Sequence, residues 1–439
     1  MRARDVILVL LVIGVGVFLT YEKSGRLDGL FGEGWEGPWW RTSTTFDYEE
    51  TQEIPGPVPA ELQVVNGRGE VEIVGGDTDK MTVVFKKHVS ARDQAEADQI
   101  AAELRMIVTP SESRLVLSTN RDNFRKKRFA TDFKIVLPAG KSVLVKNAYG
   151  LVRTGQTGRT EISNPHGDVV VRSVEGSLIL INSHQSVDVD GVRGDARVQA
   201  SHAGVALKNI LGELTLDHSY GEIRLENISQ KLILNGSHSG IRAQGLRAEA
   251  EISSSYETII LSDVSTVRIQ ARHCDIQGDG ITGLFDVTNT YGRVKVTALK
   301  GDLKVEGGKV SVDGRGLQSS EIYVHTTYQN VSLAEFSGKA TIVLSHGDLN
   351  LEPIGSLTGA VDVQGTYAGV RIAWPDGLRT PFEGRTRDGR IIWNLNERPD
   401  LETSNGSTET RAFSQETGKP GLLIVTTHGD IKVEPAVRR

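Results

Sequence analysis

The stretch GDVVVRSVEGSLILINSH (Gly167–His184) decides the fold, because its pattern recurs every 18 residues. The next copies are QSVDVDGVRGDARVQASH (Gln185–His202), AGVALKNILGELTLDHSY (Ala203–Tyr220), GEIRLENISQKLILNGSH (Gly221–His238) and SGIRAQGLRAEAEISSSY (Ser239–Tyr256). A fixed period of this length is typical of solenoid proteins, in which one copy is too small to bury a face alone and packs on its neighbours.

Apolar residues occupy places 3, 5, 8, 12 and 14 of each copy, which in the first are Val169, Val171, Val174, Leu178 and Leu180. The pairs at places 3/5 and 12/14 alternate as β-strands do. Glycines near places 1 and 10 are typical of tight corners. We therefore predict a mainly β fold, a single-stranded parallel β-helix (β-solenoid) of ~18-residue coils, with its handedness left open. A β-propeller is disfavoured because its repeats span roughly 40–50 residues.

Almost every copy ends on an aromatic ring, a His or Tyr at place 18. One hypothesis makes these rings a metal or ligand ladder, and the other makes them a structural stack at a corner of the coil. Zinc sites need clustered ligands rather than one ring per coil, so we favour the structural column and predict no metal, cofactor or catalytic residue. The predicted column comprises Tyr149, His166, His184, His202, Tyr220, His238, Tyr256, His273, Tyr291, Tyr328, His346 and Tyr367, with Gly308 in the one missing place.

Charge and cysteine content narrow the function classes. The 439 residues carry a net charge of −6 without a stripe of Lys and Arg, which disfavours a nucleic-acid partner. Cys274 is the only cysteine, so no disulfide can form within the chain. Its neighbour His273 would permit a Cys–His nucleophile, but no recognisable oxyanion-binding turn accompanies the pair, and we do not predict catalysis there.

An apolar segment near the N-terminus, Val6–Thr20, follows Arg2 and Arg4. It is slightly shorter than the roughly 20 residues of a usual membrane span. No small-x-small cleavage site follows it, so we predict an uncleaved signal anchor over residues 1–23, with a cleaved signal peptide as the alternative. The positive-inside rule then predicts a single-pass protein of the cell inner membrane, with the bulk of the chain periplasmic or extracellular.

Four further segments follow from composition and periodicity. We predict a Gly/Pro-rich linker over 24–59, an α+β lead-in that caps the rod over 60–146, the β-solenoid repeats over 147–373, and an irregular segment with a final strand over 374–439. The final strand is expected in the sequence TTHGDIKVEP (Thr426–Pro435), which echoes SHGDLNLEP (Ser345–Pro353). We expect it to rejoin the sheet after a partly disordered excursion at roughly 397–419.

The lead-in contains one amphipathic stretch, Ala91–Met106, that predicts a helix with Ser90 and Asp93 as its capping box. Its inward face is predicted to carry Ala95, Ile100, Ala101 and Leu104. Strands are predicted at Gly69–Val74, Met81–Lys87, Leu115–Ser118, Phe133–Leu137 and Ser142–Lys146.

Several stretches of the chain resemble a bacterial family of putative adhesins with β-strand repeats, classed as a domain of unknown function. They are VNGRGEVEIVGGDTDKMTVV (Val65–Val84), FKIVLPAGKSVLVKNAYG (Phe133–Gly150), the copies ending in SHG, SYG or TYG, and THGDIKV (Thr427–Val433). The resemblance covers roughly Ala60–Glu434 and implies an exported β-solenoid. It implies no catalytic residue, because the family supplies none.

Three functions are open to such a chain. We favour a membrane-anchored, non-enzymatic scaffold or adhesin-like binding protein of the cell envelope, whose partners are the inner membrane through Val6–Thr20 and an envelope protein or polysaccharide. A polysaccharide-active β-helix enzyme would need paired carboxylates on neighbouring coils. The acids at place 2 are spread along the rod, which favours a structural corner role: Asp168, Glu222, Asp275 and Asp348. The third alternative is a self-assembling or signalling accessory of the envelope.

Overall fold

The computed structural model describes residues 43–124, 127–404, 406–416 and 418–436. The predicted signal anchor, Val6–Thr20, lies outside the described residues. Among the described residues, no helix is both long and apolar enough to cross a membrane. Strands dominate this part of the chain and belong to one continuous sheet, joined by one α-helix and one short 3-10 helix.

The 18-residue period becomes a parallel stack of coils. Each repeat contributes one strand segment to a first ladder, here called ladder A, and one to a second, ladder B. In ladder A, Val169 pairs with Val187, 18 residues on; in ladder B, Leu178 pairs with Ala196. The side chains at places 3 and 5 and at 12 and 14 point into a continuous core. The prediction of a mainly β solenoid is confirmed.

A left-handed residue at place 7 explains the uneven spacing of apolar places. Strict alternation after places 3 and 5 would bury place 7, but Ser173 and Asn209 at that place have φ values of +54° and +54°. The reversed backbone bends ladder A, so that the side chain at place 8 enters the core instead. Val174 and Ile210 are fully buried there. Each coil therefore has a third inward-facing side between its two strands.

The strands fall into three groups. Those before the regular repeats are β1 (Thr44–Ile54), β2 (Glu61–Asn66), β3 (Val71–Gly76), β4 (Met81–Ala91), β5 (Met106–Pro110), β6 (Arg114–Thr119) and β7 (Arg128–Pro138). The repeat strands are β8 (Ser142–Asn147), β9 (Val152–Thr157), β10 (Thr160–Ser163), β11 (Val169–Val174), β12 (Leu178–Asn182), β13 (Val187–Val192), β14 (Ala196–Ser201), β15 (Val205–Ile210), β16 (Leu214–Ile228), β17 (Leu232–Ser255), β18 (Thr258–Arg272), β19 (Asp275–Asp279), β20 (Phe285–Thr297), β21 (Leu303–Leu317), β22 (Glu321–Thr326), β23 (Val331–Phe336), β24 (Lys339–Leu344), β25 (Leu349–Pro353), β26 (Val361–Thr366) and β27 (Val370–Trp374). The last group is β28 (Phe382–Arg387), β29 (Ile391–Trp393), β30 (Asp400–Ser404), β31 (Ser407–Ala412), β32 (Leu422–Thr427) and β33 (Ile431–Pro435). In β16, β17, β18, β20 and β21 a single strand runs through a corner and contributes to both ladders.

At the N-terminal end the coils are not stacked in sequence order. β2 pairs with both β6 and β8, and β3 pairs with both β7 and β9, all in parallel. The coil β2/β3 therefore lies between the outer coil β6/β7 and the first regular coil β8/β9. Parallel ladders thus extend into the segment predicted as a separate lead-in.

Antiparallel strands then extend the sheet at this end. β4 pairs with β7, β1 pairs with β4, and β5 pairs with β6. The predicted strands of the lead-in are found, with ends shifted by up to five residues. β1 lies inside the segment predicted as a linker, where its alternating Phe46 and Tyr48 were the available signal.

The helix, α1, spans Gln94–Glu103 and is shorter than predicted. Its N-cap is Asp93, whose carboxylate accepts the backbone N–H of Glu96, so the predicted capping box at Ser90 is wrong. Ser90 belongs to β4, because the strand continues to Ala91. Ile100, Ala101 and Leu104 are buried as predicted, but Ala97 takes the place expected of Ala95, which is exposed.

At the C-terminal end, too, the coils are not stacked in sequence order. β32 pairs with both β26 and β28, and β33 pairs with both β27 and β29, so the last coil along the chain inserts beneath the one before it. The final strand rejoins the sheet as predicted. The excursion at 397–419 contains β30 and β31, which pair antiparallel and extend the sheet outward from β28.

Candidate functional site: the ring column and the groove beside it

The predicted rings lie above one another at one corner of the solenoid. Most neighbouring pairs stack with centroids 4.5–5.3 Å apart and planes within 18° of parallel. The spacing matches the roughly 4.8 Å between hydrogen-bonded parallel strands, so the column follows from the register of the coils. The structure places all twelve predicted rings in this column.

The corner requires a left-handed backbone. His202, Tyr220 and His238 adopt φ values of +51°, +60° and +52° themselves. After Tyr149 and Tyr291 the following glycine takes the positive φ instead. The ring residue therefore stands at the apex of the turn between ladder B and the next strand of ladder A.

A buried polar residue two places before the ring holds the corner from inside. Asn182 Nδ2 donates to the carbonyls of Asn164 and Gly167, at 2.9 and 2.7 Å. Asn289 and Thr426 donate in the same way, to Cys274 O at 2.7 Å and Ala368 O at 2.9 Å. These bonds satisfy carbonyls that the turn removes from the ladders. This inner column was not predicted from the sequence, although Asn recurs at place 16 in several copies.

His218 takes the inner place in one coil. Its Nε2–H donates to Ala203 O at 2.9 Å, and its Nδ1 lies 2.8 Å from Ser239 Oγ. Burial lowers the pKa of the His218 imidazole, and the backbone hydrogen bond opposes this only in part. The neutral imidazole is therefore the form that fits this corner.

The column is interrupted in two places. Among His166, His184 and His202 the rings tilt, with interplanar angles of 36° and then 69°. At Gly308 a ring is missing, and the Lys309 ammonium fills the gap, 5.3 Å from the Tyr291 centroid and 5.7 Å from that of Tyr328.

The column also has one more member than predicted. His428 stacks on Tyr367 at 4.5 Å. The sequence could have predicted this ring, because THGDIKVEP is similar to the earlier SHGDLNLEP, and the His of that earlier stretch belongs to the predicted column.

Stacking limits what the column can bind. Away from the tilted histidines and the gap at Gly308, each inner ring has both faces covered by its neighbours, so mainly ring edges reach solvent there, and the tyrosines are about half exposed. The edges offer phenol hydroxyls and imidazole nitrogens, which donate and accept hydrogen bonds. Among the described residues, no group of three or more His, Cys, Asp or Glu side chains is placed to hold a metal ion.

A polar groove of about 1010 Å³ runs along ladder B beside the column. Its walls come from consecutive coils of β12 to β20, and only Asp217 and Arg272 among its lining residues carry a formal charge. Most of its lining residues carry hydroxyl or amide side chains, including Ser183, Ser201, Ser219, Ser237, Gln199 and Asn235. The remaining outer surface differs, because ion pairs bridge many neighbouring coils there, such as Lys208–Glu226 at 2.9 Å.

Two of the four predicted acids at place 2 accept backbone N–H groups, and the backbone N–H of a third, Asp348, donates to Asn330 Oδ1 at 2.8 Å. Asp168 Oδ1 accepts the N–H of Ser186 at 2.9 Å, and Asp275 Oδ1 accepts that of Arg293 at 2.9 Å. Glu222 instead pairs with Arg224, at 2.6 Å. These carboxylates tie one coil to another or to a surface cation.

Cys274 offers no exposed thiol. It is fully buried in the core, and its Sγ–H points to the Arg272 carbonyl at 3.5 Å. The neighbouring His273 lies in the ring column, stacked between Tyr256 and Tyr291. At this corner between β18 and β19, the Cys274 side chain therefore enters the core, whereas the His273 ring lies in the outer column.

Comparison with known proteins gives a family and two distant structures. The model of the Toastrack DUF4097 family matches residues 247–434. No curated protein matches the chain. A putative cell adhesion protein from Clostridium sporogenes is 8% identical, with a TM-score of 0.15 over 89% of this chain and 100% of that chain. A putative adhesin from Bacteroides fragilis is 16% identical, with a TM-score of 0.22 over 61% of this chain and 96% of that chain. TM-scores this low do not establish a shared architecture.

Proposed function

We propose that this chain, which matches the Toastrack DUF4097 family model over residues 247–434, acts as a non-enzymatic binding protein of the bacterial cell envelope. In this proposal it is an adhesin-like scaffold that holds an extended polysaccharide along the groove of ladder B. Val6–Thr20 anchors it in the inner membrane, and the solenoid lies in the periplasm or outside the cell. The antiparallel strands at its ends act as caps.

The groove is the observation that carries the proposal. It crosses several coils, so it suits a ligand that is itself long and repetitive. Its hydroxyl and amide side chains hydrogen-bond to sugar hydroxyls without requiring a charged ligand. Since the ring faces of the column are covered, binding by stacking of sugars on those faces is disfavoured, and hydrogen bonding from the groove dominates.

The hydrogen bonds of the carboxylates at place 2 disfavour the alternative of a polysaccharide-active enzyme. A glycosidase needs one free carboxyl as general acid and a second as base or nucleophile, separated by roughly 5–10 Å. Asp168 and Asp275 accept backbone N–H groups of the next coil instead. Release of reducing ends or unsaturated products from an envelope polysaccharide, lost on Asp275→Ala, would reverse this ranking.

Binding is tested with a soluble fragment of residues 43–439 on a glycan array. The fragment must include β1, because Glu50 on β1 pairs with the buried Lys87. We expect binding to at least one uncharged linear glycan. Ser219→Arg together with Asn235→Arg should abolish it, since the two long side chains fill the groove.

Ser332→Arg is the matched control, because Ser332 is a partly exposed residue of ladder A outside the groove lining. It should bind as the parent does. An array without signal, or equal loss of binding in the groove and control variants, contradicts the proposal. Binding that is confined to proteins from an envelope extract would replace the polysaccharide with a protein partner.

A further inference from the structure

β1 is attached to the molecule with little burial. None of its eleven residues is fully buried, and only Phe46, Tyr48 and Ile54 are half-buried. It pairs along its whole length with β4, from Thr44 opposite Ala91 to Ile54 opposite Met81. Phe46 and Tyr48 pack against the small core beside α1, and the Tyr48 hydroxyl donates to Asp98 Oδ1 at 2.7 Å. Backbone hydrogen bonds and ion pairs supply the other contacts that hold β1.

The two strands carry opposite charges. The four acids of β1 each meet a basic side chain on or beside β4. Glu49 pairs with Lys86 at 2.9 Å and Glu53 pairs with Lys80 at 2.7 Å. The remaining pairs are Glu50 with Lys87 and Asp47 with His88.

Lys87 makes an acidic occupant necessary. Its side chain is only 2% exposed, and its ammonium also donates to Ala101 O on α1 at 2.8 Å. If β1 left, the ammonium would lose its carboxylate partner and keep only the Ala101 carbonyl. Removing one partner of a buried ion pair is costly. A neutral strand on this edge would not restore the pair.

The acceptor edge does not depend on β1. β4 pairs on its other side with β7, from Thr82 opposite Val136 to Ser90 opposite Arg128. Val83, Phe85 and Val89 of β4 are fully buried in the two core clusters. Departure of β1 would leave a formed strand with an open row of backbone groups, which is a template for pairing with another chain.

We propose that the edge of β4 is a strand-acceptor site, and that Thr44–Ile54 of a second copy occupies it in exchange for the chain's own β1. The exchanged strand makes the same backbone and charge contacts as the original. Within one molecule the short connection from Ile54 to Glu61 favours the original strand through its high effective concentration. Crowding of copies shifts the balance toward exchange.

Cysteine crosslinking tests exchange in the full chain. Thr45 and Ser90 lie opposite each other, with Oγ1 and Oγ 3.3 Å apart, a separation that permits a disulfide after substitution. Thr45→Cys and Ser90→Cys in one chain should close an internal disulfide. When each substitution is carried by a separate chain, mixing the chains under mild oxidation should yield a covalent dimer.

Two controls give the result its meaning. Thr45→Cys mixed with Ser332→Cys should give no dimer, because Ser332 lies on ladder A far along the solenoid from β4. A synthetic Thr44–Ile54 peptide with Cys in place of Thr45 should crosslink to the Ser90→Cys chain. The same peptide with its four acids replaced by Asn and Gln should not.

Two results overturn the proposal. In the first, the double variant closes its internal disulfide but neither the mixture nor the acidic peptide crosslinks, so the site is closed to strands from other molecules. In the second, the neutral peptide crosslinks as well as the acidic one, so charge does not select the occupant.

Discussion

The N-terminal end and the central coils both consist of β-strands, but the strands pair in different ways in the two regions. In the centre, β11 to β16 are parallel, their cores are aliphatic, and each residue repeats the role of the one 18 places earlier. At the N-terminal end, β1, β4 and β7 are antiparallel, and β1 is held to β4 by side-chain charge. Repetition stabilises the middle, and specific pairs stabilise the end.

The difference shows how a parallel stack is closed. A parallel coil always presents another open edge, so the stack can only stop by a change of pattern. Both ends change it in the same two steps: a coil is inserted out of sequence order, and antiparallel strands follow. Aromatic pairs close the core beneath them, Phe85–Phe133 at one end and Trp374–Phe413 at the other.

The largest expected effect is on the free energy of unfolding, which should depend much more on the core of the central coils than on β1. Leu216 is fully buried in the centre, and Leu216→Ala should lower the free energy of unfolding by about 2–5 kcal/mol. Phe46→Ala on the half-buried β1 should cost much less. Denaturant unfolding of both variants checks this, and equal losses would mean that the end is packed as firmly as the middle.

A glycine at place 10 gives the next largest effect. A Cβ on Gly194 would lie 2.7 Å from the Gly176 carbonyl oxygen of the preceding coil. Gly194→Ala should therefore destabilise the centre by about 1–3 kcal/mol, the usual cost of overpacking. Gly377→Ala is not a suitable control, because Gly377 has a φ of +76°; Gly204→Ala is, since no atom lies within 4 Å of its added Cβ. If Gly194→Ala left the free energy of unfolding unchanged, neighbouring coils would not be in close contact at this corner.

Removal of one ring from the column should lower the free energy of unfolding by a smaller amount. His202 stacks on Tyr220 at 4.9 Å, and such contacts are worth about 0.5–1.5 kcal/mol. His202→Asn removes the ring but keeps a side chain that tolerates the positive φ, so it separates stacking from backbone strain. We expect a lower melting temperature and an unchanged metal content. Loss of stoichiometric metal from the variant would favour the ligand-ladder hypothesis.

The smallest effect is a difference in pH dependence. Burial lowers the pKa of His88, but hydrogen bonds to Asp132 and Asp47 outweigh it and raise the pKa above the usual value. His88 therefore contributes its full stabilisation below pH about 6.5, and this is lost as the pH rises through the raised pKa. His218 behaves in the opposite way, since its pKa is lowered and its stabilisation is lost as the pH falls below about 6.5.

Hydrogen exchange resolved by peptide measures the pH dependence of stability around His88 and around His218 separately. Between pH 5 and 8, after correction for intrinsic exchange, protection of β1 should fall with rising pH and protection of the coil around His218 should rise. His88→Gln and His218→Asn should each abolish only the local trend. A common trend in both regions would contradict the assignment.

The sequence predicted the apolar places of the repeat, but it missed the backbone conformation at place 7 and the strand order at the two ends. Places 3, 5, 8, 12 and 14 identified the core because burial selects the same residue types in every coil. The left-handed place 7 escaped notice because Ser173, Gly191 and Asn209 share a backbone conformation and not a side-chain type. The inserted coils at the ends could not be predicted, since strand order there depends on which edge is free after the regular coils have formed.

The site divides in the same way. The ring column was visible as a periodic marker, whereas the groove depends on outward residues such as Gln199 and Asn235, whose types vary from coil to coil. The capping box was misassigned because β4 runs four residues past its predicted end at Lys87, to Ala91, which leaves Asp93 alone as the N-cap.

The central claim is that successive repeats stack in register as parallel coils. Pulsed electron paramagnetic resonance on spin labels at place 17 tests it directly. Labels at Ser183 and Ser255 are four coils apart, so we predict a separation of about 19 Å, and labels at Ser183 and Ser345 are nine coils apart and should lie about 43 Å from each other. Distances that do not grow in proportion to the number of intervening coils would contradict the stack.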